Sequence, residues 1–129
     1  MLKIIVDAMG GDHAPVEIVK GAVESLADRS DFKVILTGDE ALIKHELDKY
    51  MYDASRVEIV GCTQVITNDD VPTHAVRSKR DSSLVVGLNI LKNDISAGGF
   101  VSAGSTGAVL TGGIMFIGRI KGVMRPPLC

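Results

Sequence analysis

Four short stretches of this sequence carry the residue types that chemistry needs. The first, SAGSTG at 102–107, follows an apolar pair and precedes a run at near-helical spacing. Gly104 and Gly107 would let the backbone turn tightly and approach a ligand closely. A helix starting there presents unpaired N–H groups and a partial positive charge. Ser102, Ser105 and Thr106 add hydroxyl donors, so the stretch suits an anion, phosphate above all. On residue types alone, a strand-to-helix turn capped by hydroxyls is the better reading. The familiar phosphate fingerprints are absent. Residues 104–107 do not complete GxGxxG, and GIMFIGR at 113–119 has Arg for the P-loop lysine and then Ile120 where a magnesium-binding hydroxyl belongs.

The second stretch, DAMGGDHAP at 7–15, sets Asp7 and Asp12 on either side of Gly10 and Gly11. The two acids would bind a cation or orient a substrate. Equally, the glycines would turn the chain and leave Asp12 near a helix start. His13 stands alone, and His45 and His74 have no partner at metal-ligand spacing, so neither a metal nor a cofactor is expected. The third, DDVPTHAVRSKRDSS at 69–83, gathers acids, bases and hydroxyls. Arg77, Lys79 and Arg80 would neutralise a phosphate dianion. A solvated connection with caps is the slightly better reading by residue type. Last, Arg119, Lys121 and Arg125 make a basic cluster, which either complements a helix end or docks an acidic partner.

These residues need elements to hold them. KIIVDA at 3–8 reads as a buried strand ending at a Gly-Gly breaker. Pro15 opens a helix with Val19, Ala22, Val23 and Leu26 on one face. KVILTGD at 33–39 is a second strand, after which Asp39 caps a helix through about Tyr50. RVEIVG at 56–61 is a third strand. A polar loop and a short helix around residues 75–77 follow. Asp81, Ser82 and Ser83 supply caps for a helix carrying Leu84, Leu88, Leu91 and Ile95. Gly98 and Gly99 precede a fourth strand at 100–103, and a last helix runs from Thr106 to Gly118. Strands alternating with helices imply an α/β fold with a mainly parallel sheet and right-handed crossovers. Ligands bind beyond the carboxyl ends of such strands, where DAMGGDHAP, LTGDE and VSAGSTG all fall.

The bulk composition narrows the class. The 129 residues suit a single domain with a real core, and 46% hydrophobic content argues against disorder. With no Trp and 4% aromatics, that core must be aliphatic. A net charge of −2 argues against a dedicated nucleic-acid binder. Cys62 and Cys129 lie far apart and form no disulfide framework or metal spacing, which suits a reducing cytosol. The N-terminus lacks the core of a signal peptide, and the apolar run at 107–118 is too short to span a bilayer.

Taken in order, IVDAMGGDHAP, DDVPTHAVRSKRDSSLVVGL, FVSAGSTGAVLTGG and GRIKGVMRPPL closely resemble the acyl-ACP:phosphate acyltransferases of bacterial phospholipid synthesis, the PlsX family. The resemblance covers nearly the whole chain. It implies a Rossmann-like α/β fold similar to phosphate acetyltransferases and isocitrate dehydrogenases, with residues 1–129 as the N-terminal part of a longer family fold. It implies transfer of a fatty acyl group from acyl carrier protein to inorganic phosphate, in a cytoplasmic homodimer associated with the inner membrane surface. Catalytic positions would be Arg77 and Lys79. Substrate-binding positions would be Asp7, Gly10, Gly11 and Asp12, then Asp81 and Ser82, then Ser102, Gly104, Ser105, Thr106 and Gly107. Arg119, Lys121 and Arg125 would dock the acidic carrier protein.

Two departures stand out. The family reads SAGNTGA where this chain has Ser105, and members are more than twice this length. The piece is therefore expected to be inactive alone. The alternatives are a non-catalytic remnant that binds an anion or a partner, and a short-chain phosphate acyltransferase using coenzyme A.

Overall fold

The computed structural model describes residues 1–122. Strand β1 (Leu2–Asp7) lies inside a four-stranded, all-parallel sheet of order β3-β2-β1-β4, with β2 at Phe32–Gly38, β3 at Val57–Gly61 and β4 at Ala97–Val101. The expected "mainly parallel" sheet is thus wholly parallel in these strands. Period-two alternation divides the central strands between two cores. Val34 and Leu36 pack with Val19, Val23 and Leu26 of α1 (Val16–Asp28) and Ile43 and Leu47 of α2 (Glu40–Leu47). On the other side Ile5 meets α4 (Ser83–Asn93) beneath Gly87. There Leu84, Val85 and Leu88 join Ala75 and Val76 of α3 (Pro72–Ser78) and Ala108 of α5 (Thr106–Gly112). Both cores are aliphatic, as the composition requires.

The predicted caps form at Asp39, Ser82 and Ser105, whereas Asp81 and Ser83, also expected as caps, bind Thr63 and Asp7 instead. Asp39 accepts from Leu42 N at 3.1 Å, Ser82 from Val85 N at 3.3 Å, and Ser105 from Ala108 N at 3.3 Å. Several boundaries differ from the sequence reading. α2 ends at Leu47 rather than near Tyr50. β4 begins at Ala97, because Gly98 leaves room for the Leu2 side chain and so admits the glycines into the strand. α4 stops at Asn93. Asp94 then turns the chain by accepting from Ser96 N and Lys3 Nζ, which strands Ile95 in solvent, fully exposed, instead of on the helical face. α5 is regular only to Gly112 and continues as one wide π turn over Gly113–Ile117.

The topology has one reversal. The chain steps outward from β1 to β2 to β3, then crosses back to place β4 on the other side of β1. The switch point lies between the carboxyl ends of β1 and β4, where the two connections leave in opposite directions.

Candidate active site

The loops after β1 and β4 meet at that switch point, and the loop after β3 closes over them. Together they line a cleft of about 260 Å³, formed by Met9, Gly11 and Asp12, by residues 65–69, and by Gly104 and Ser105. Glycine makes this closeness possible. A Cβ on Gly10 would lie 2.8 Å from the Gly104 carbonyl oxygen and 2.9 Å from both Asp7 Oδ2 and Ser102 Oγ. Gly11 has φ +97° and Gly104 φ +150°, conformations that disfavour any side chain. A Cβ on Gly107 would sit 2.8 Å from Pro72 Cγ, so α5 starts hard against α3.

Below the loops lies a polar knot. Asp7 is 2% exposed. Its Oδ1 accepts from Ser83 Oγ at 2.5 Å and from Met9 N at 3.1 Å, and its Oδ2 accepts from Ser102 Oγ at 2.9 Å. Burial pushes the carboxyl above its ordinary range, against the opposing pull of those hydroxyls and backbone N–H groups. Ser102 Oγ also lies 3.1 Å from the Gly104 carbonyl oxygen. Asp7 is therefore enclosed by protein donors, below the cleft wall. Ser82 is fully buried at the α4 cap.

The 69–83 stretch divides. Lys79 Nζ donates to Asp70 Oδ2 at 2.8 Å and to the Val65 carbonyl at 2.9 Å, so it pins the loop that forms one cleft wall. The ammonium holds the Asp70 carboxyl below its usual range. Asp81 does the same for the start of that loop, accepting from Thr63 N at 2.9 Å and Thr63 Oγ1 at 2.5 Å. Arg77 is exposed, and its guanidinium has no hydrogen-bond or ion-pair partner among the described residues. Arg80 lies over the Phe116 ring at 5.1 Å. Asp12 and Gly11 are exposed at the cleft, and Thr106 is exposed but does not line it. Ser105, by contrast, is buried, and its hydroxyl serves the α5 cap, a task at which Asn is equally good.

The remaining expected positions lie elsewhere. LTGDE ends β2 but lines no part of this cleft, and Asp39 is occupied by α2. Arg119 and Lys121 are exposed beyond the π turn, and Arg125 lies outside the described residues. No grouping of His, Cys, Asp and Glu among the described residues fits a metal ion. No helix there is long and apolar enough to cross a membrane. Sequence reasoning missed Thr67 and Asn68, which line the cleft, and Ser83, which binds Asp7. The first two were within reach of the carboxyl-end rule applied to β3.

The chain is similar to known proteins over nearly its whole length. The family model described as "Fatty acid synthesis protein" matches residues 2–129. The chain is 50% identical over 127 residues to the phosphate acyltransferase of Alkaliphilus oremlandii, covering 98% of this chain and 37% of that protein. It is 47% identical over 128 residues to the phosphate acyltransferase of Clostridioides difficile, covering 99% and 37%. The phosphate acyltransferase of Clostridium tetani is 46% identical over 127 residues, with 98% and 38% covered. The chain thus spans little more than a third of the length of these relatives. By sequence, the chain belongs to the fatty acid synthesis protein family, whose named relatives are phosphate acyltransferases.

Proposed function

We propose that this chain carries the phosphate-side wall of an acyltransferase site that moves a long-chain fatty acyl group from acyl carrier protein to inorganic phosphate. The observation that carries the reading is the meeting of two glycine-bearing loops at the sheet's switch point, around a small polar cleft. In the proposed reaction a phosphate oxygen attacks the thioester carbonyl carbon, the C–S bond breaks, and the thiolate leaves with the bonding pair. A thiol of pKa near roughly 8.5 needs little acid assistance as a leaving group, so no dedicated acid is required. Growing charge on the carbonyl oxygen calls for N–H donors or a cation.

The residues divide the work as follows. Gly10, Gly11, Gly104 and Gly107 let the backbone approach the phosphate, and Thr106 offers a hydroxyl. Asp7, Asp81, Ser82, Ser102 and Lys79 hold the loops through the bonds described above. Arg77, whose guanidinium has no partner among the described residues, is the cation proposed to neutralise phosphate, although it lies outside the cleft lining. Among the described residues the cleft is lined by two carboxylates, Asp12 and Asp69, and by no cation, so phosphate affinity of this chain alone should be weak, about 1 mM or poorer. Arg119 and Lys121, with Arg125, dock the acidic carrier protein. The intact enzyme would be a cytoplasmic homodimer at the inner membrane face.

Titration of the 129-residue chain with inorganic phosphate, followed by amide chemical shifts, tests the cleft. Shifts should concentrate at residues 9–12 and 104–107. Gly104→Ala and Gly107→Ala should each weaken binding about tenfold, and unchanged affinity in both would sink the assignment. For turnover, the chain is incubated with phosphate and long-chain acyl carrier protein or acyl-coenzyme A, and thiol release is followed. Little or none is expected, and robust release with coenzyme A alone would favour the short-chain alternative. Arg119→Glu with Lys121→Glu should weaken binding of acyl carrier protein.

A further inference from the structure

We propose that Ser83 is a positioning residue for the cleft, acting through Asp7 and Ser102 on the turn that carries Gly104. The proposal rests on the reading of the cleft as a phosphate site. It concerns a residue expected only as a helix cap and given no part in the site by its sequence motif.

Ser83 is the first residue of α4, but its hydroxyl does no work for that helix. The cap belongs to Ser82, whose Oγ accepts from Val85 N. A serine inside a helix usually turns its hydroxyl toward a nearby backbone carbonyl. Here it is aimed across the sheet instead, at Asp7 Oδ1, 2.5 Å away and 76 residues distant in the chain. Ser83 is 1% exposed, and its carbonyl oxygen is held by Thr37 Oγ1 at 2.9 Å, so the residue is fixed from β2 as well. The other Asp7 oxygen takes Ser102 Oγ, which in turn lies 3.4 Å from Gly104 N and 3.1 Å from the Gly104 carbonyl oxygen. One continuous chain of bonds thus runs from β2 through α4 and β1 to the cleft wall. Among the described residues no buried side-chain polar atom lacks a partner, so the network has no slack to absorb a missing member. Gly10 runs close beside Asp7 and Ser102, where a Cβ would lie 2.9 Å from both Asp7 Oδ2 and Ser102 Oγ.

The test uses Ser83→Ala, Ser102→Ala and the double variant in the 129-residue chain, with Ser83→Thr as the rescue. Two readouts are taken: amide exchange at Gly104 and Ala108, relative to α1 and β2 amides, and phosphate affinity. Ser83→Ala should speed exchange at those two amides about tenfold over the α1 and β2 amides and weaken phosphate binding by a similar factor. Ser83→Thr should restore both. The two alanine effects should be non-additive, because each acts through the same carboxylate. Additive effects, or exchange at Gly104 and Ala108 that moves only in step with global stability, would overturn the proposal. If wild type binds no phosphate, the cleft reading fails by itself, and the exchange measurement still decides the positioning role. If Ser83→Ala does not fold, the Ser102→Ala and Ser83→Thr spectra are compared. A Ser83→Thr chain with wild-type exchange at Gly104 supports the proposal, and one with the fast exchange of Ser102→Ala overturns it.

Discussion

Asp7 and Asp94 pull the stability of this protein in opposite directions with pH. Burial raises the Asp7 carboxyl above its ordinary 3.8, so the folded chain takes up that proton more readily than the unfolded one. Its contribution is complete below that ordinary value and fades as pH rises through the raised one. Asp7→Asn should therefore improve relative to wild type as pH rises above about 4, as read from urea midpoints. Asp94 is held down to about 2 by Ser96 and Lys3. Its contribution is present above 3.8 and lost as pH falls toward about 2, so Asp94→Asn should flatten the acid limb of the same profile. Burial also lifts the Cys62 thiol to about 11, so at mild pH it should alkylate far more slowly than an unstructured cysteine in peptide mapping. The glycines and hydroxyls of the site were legible as residue types. What they face was not: the bond from Ser83 to Asp7 spans 76 residues, and no local pattern announces it.

At the scale of elements, caps were the most legible feature, because a cap is a local bond between a side chain and an N–H three residues on. Asp39→Ala should remove about 1 kcal/mol from stability, measured by urea unfolding, whereas Ser105→Asn should leave the α5 cap intact and change stability by less than about 0.5 kcal/mol. Gly10→Ala belongs here too. Its methyl group would press on Gly104 O, Asp7 Oδ2 and Ser102 Oγ at once, with an expected loss of about 1–3 kcal/mol. Element ends were read less well, each for a physical reason outside local periodicity. β4 starts early because Leu2 occupies the space that a side chain at Gly98 would need. α4 ends early because Asp94 binds both Ser96 and Lys3. The apolar spacing of residues 107–117 fits a helix, but the backbone changes to a wider turn at Gly113.

For the whole molecule, the α/β class and the parallel sheet followed from alternation of strands and helices, but the order β3-β2-β1-β4 did not, and it is this order that creates the switch point. β4 is an edge strand among the described residues. The sheet face beside it, with Ile4, Val6, Phe32 and Val101, is an apolar trough of about 420 Å³. Unpaired edges and open apolar faces favour association. The chain should therefore self-associate in sedimentation, and Val101→Lys, a charge on the edge, should shift it toward monomer. The same order governs how the protein comes together. β1 pairs with β2 about thirty residues on, but Lys3 meets Ala97 and Asp7 meets Ser102 only after most of the chain has been made. The β1–β2–β3 half can settle from near neighbours, while the cleft needs a closure across 95 residues. The β4 side should then dock after β1–β3 and open before them, so amides at the end of the sheet that carries the proposed cleft should exchange faster than those of α1 and β2.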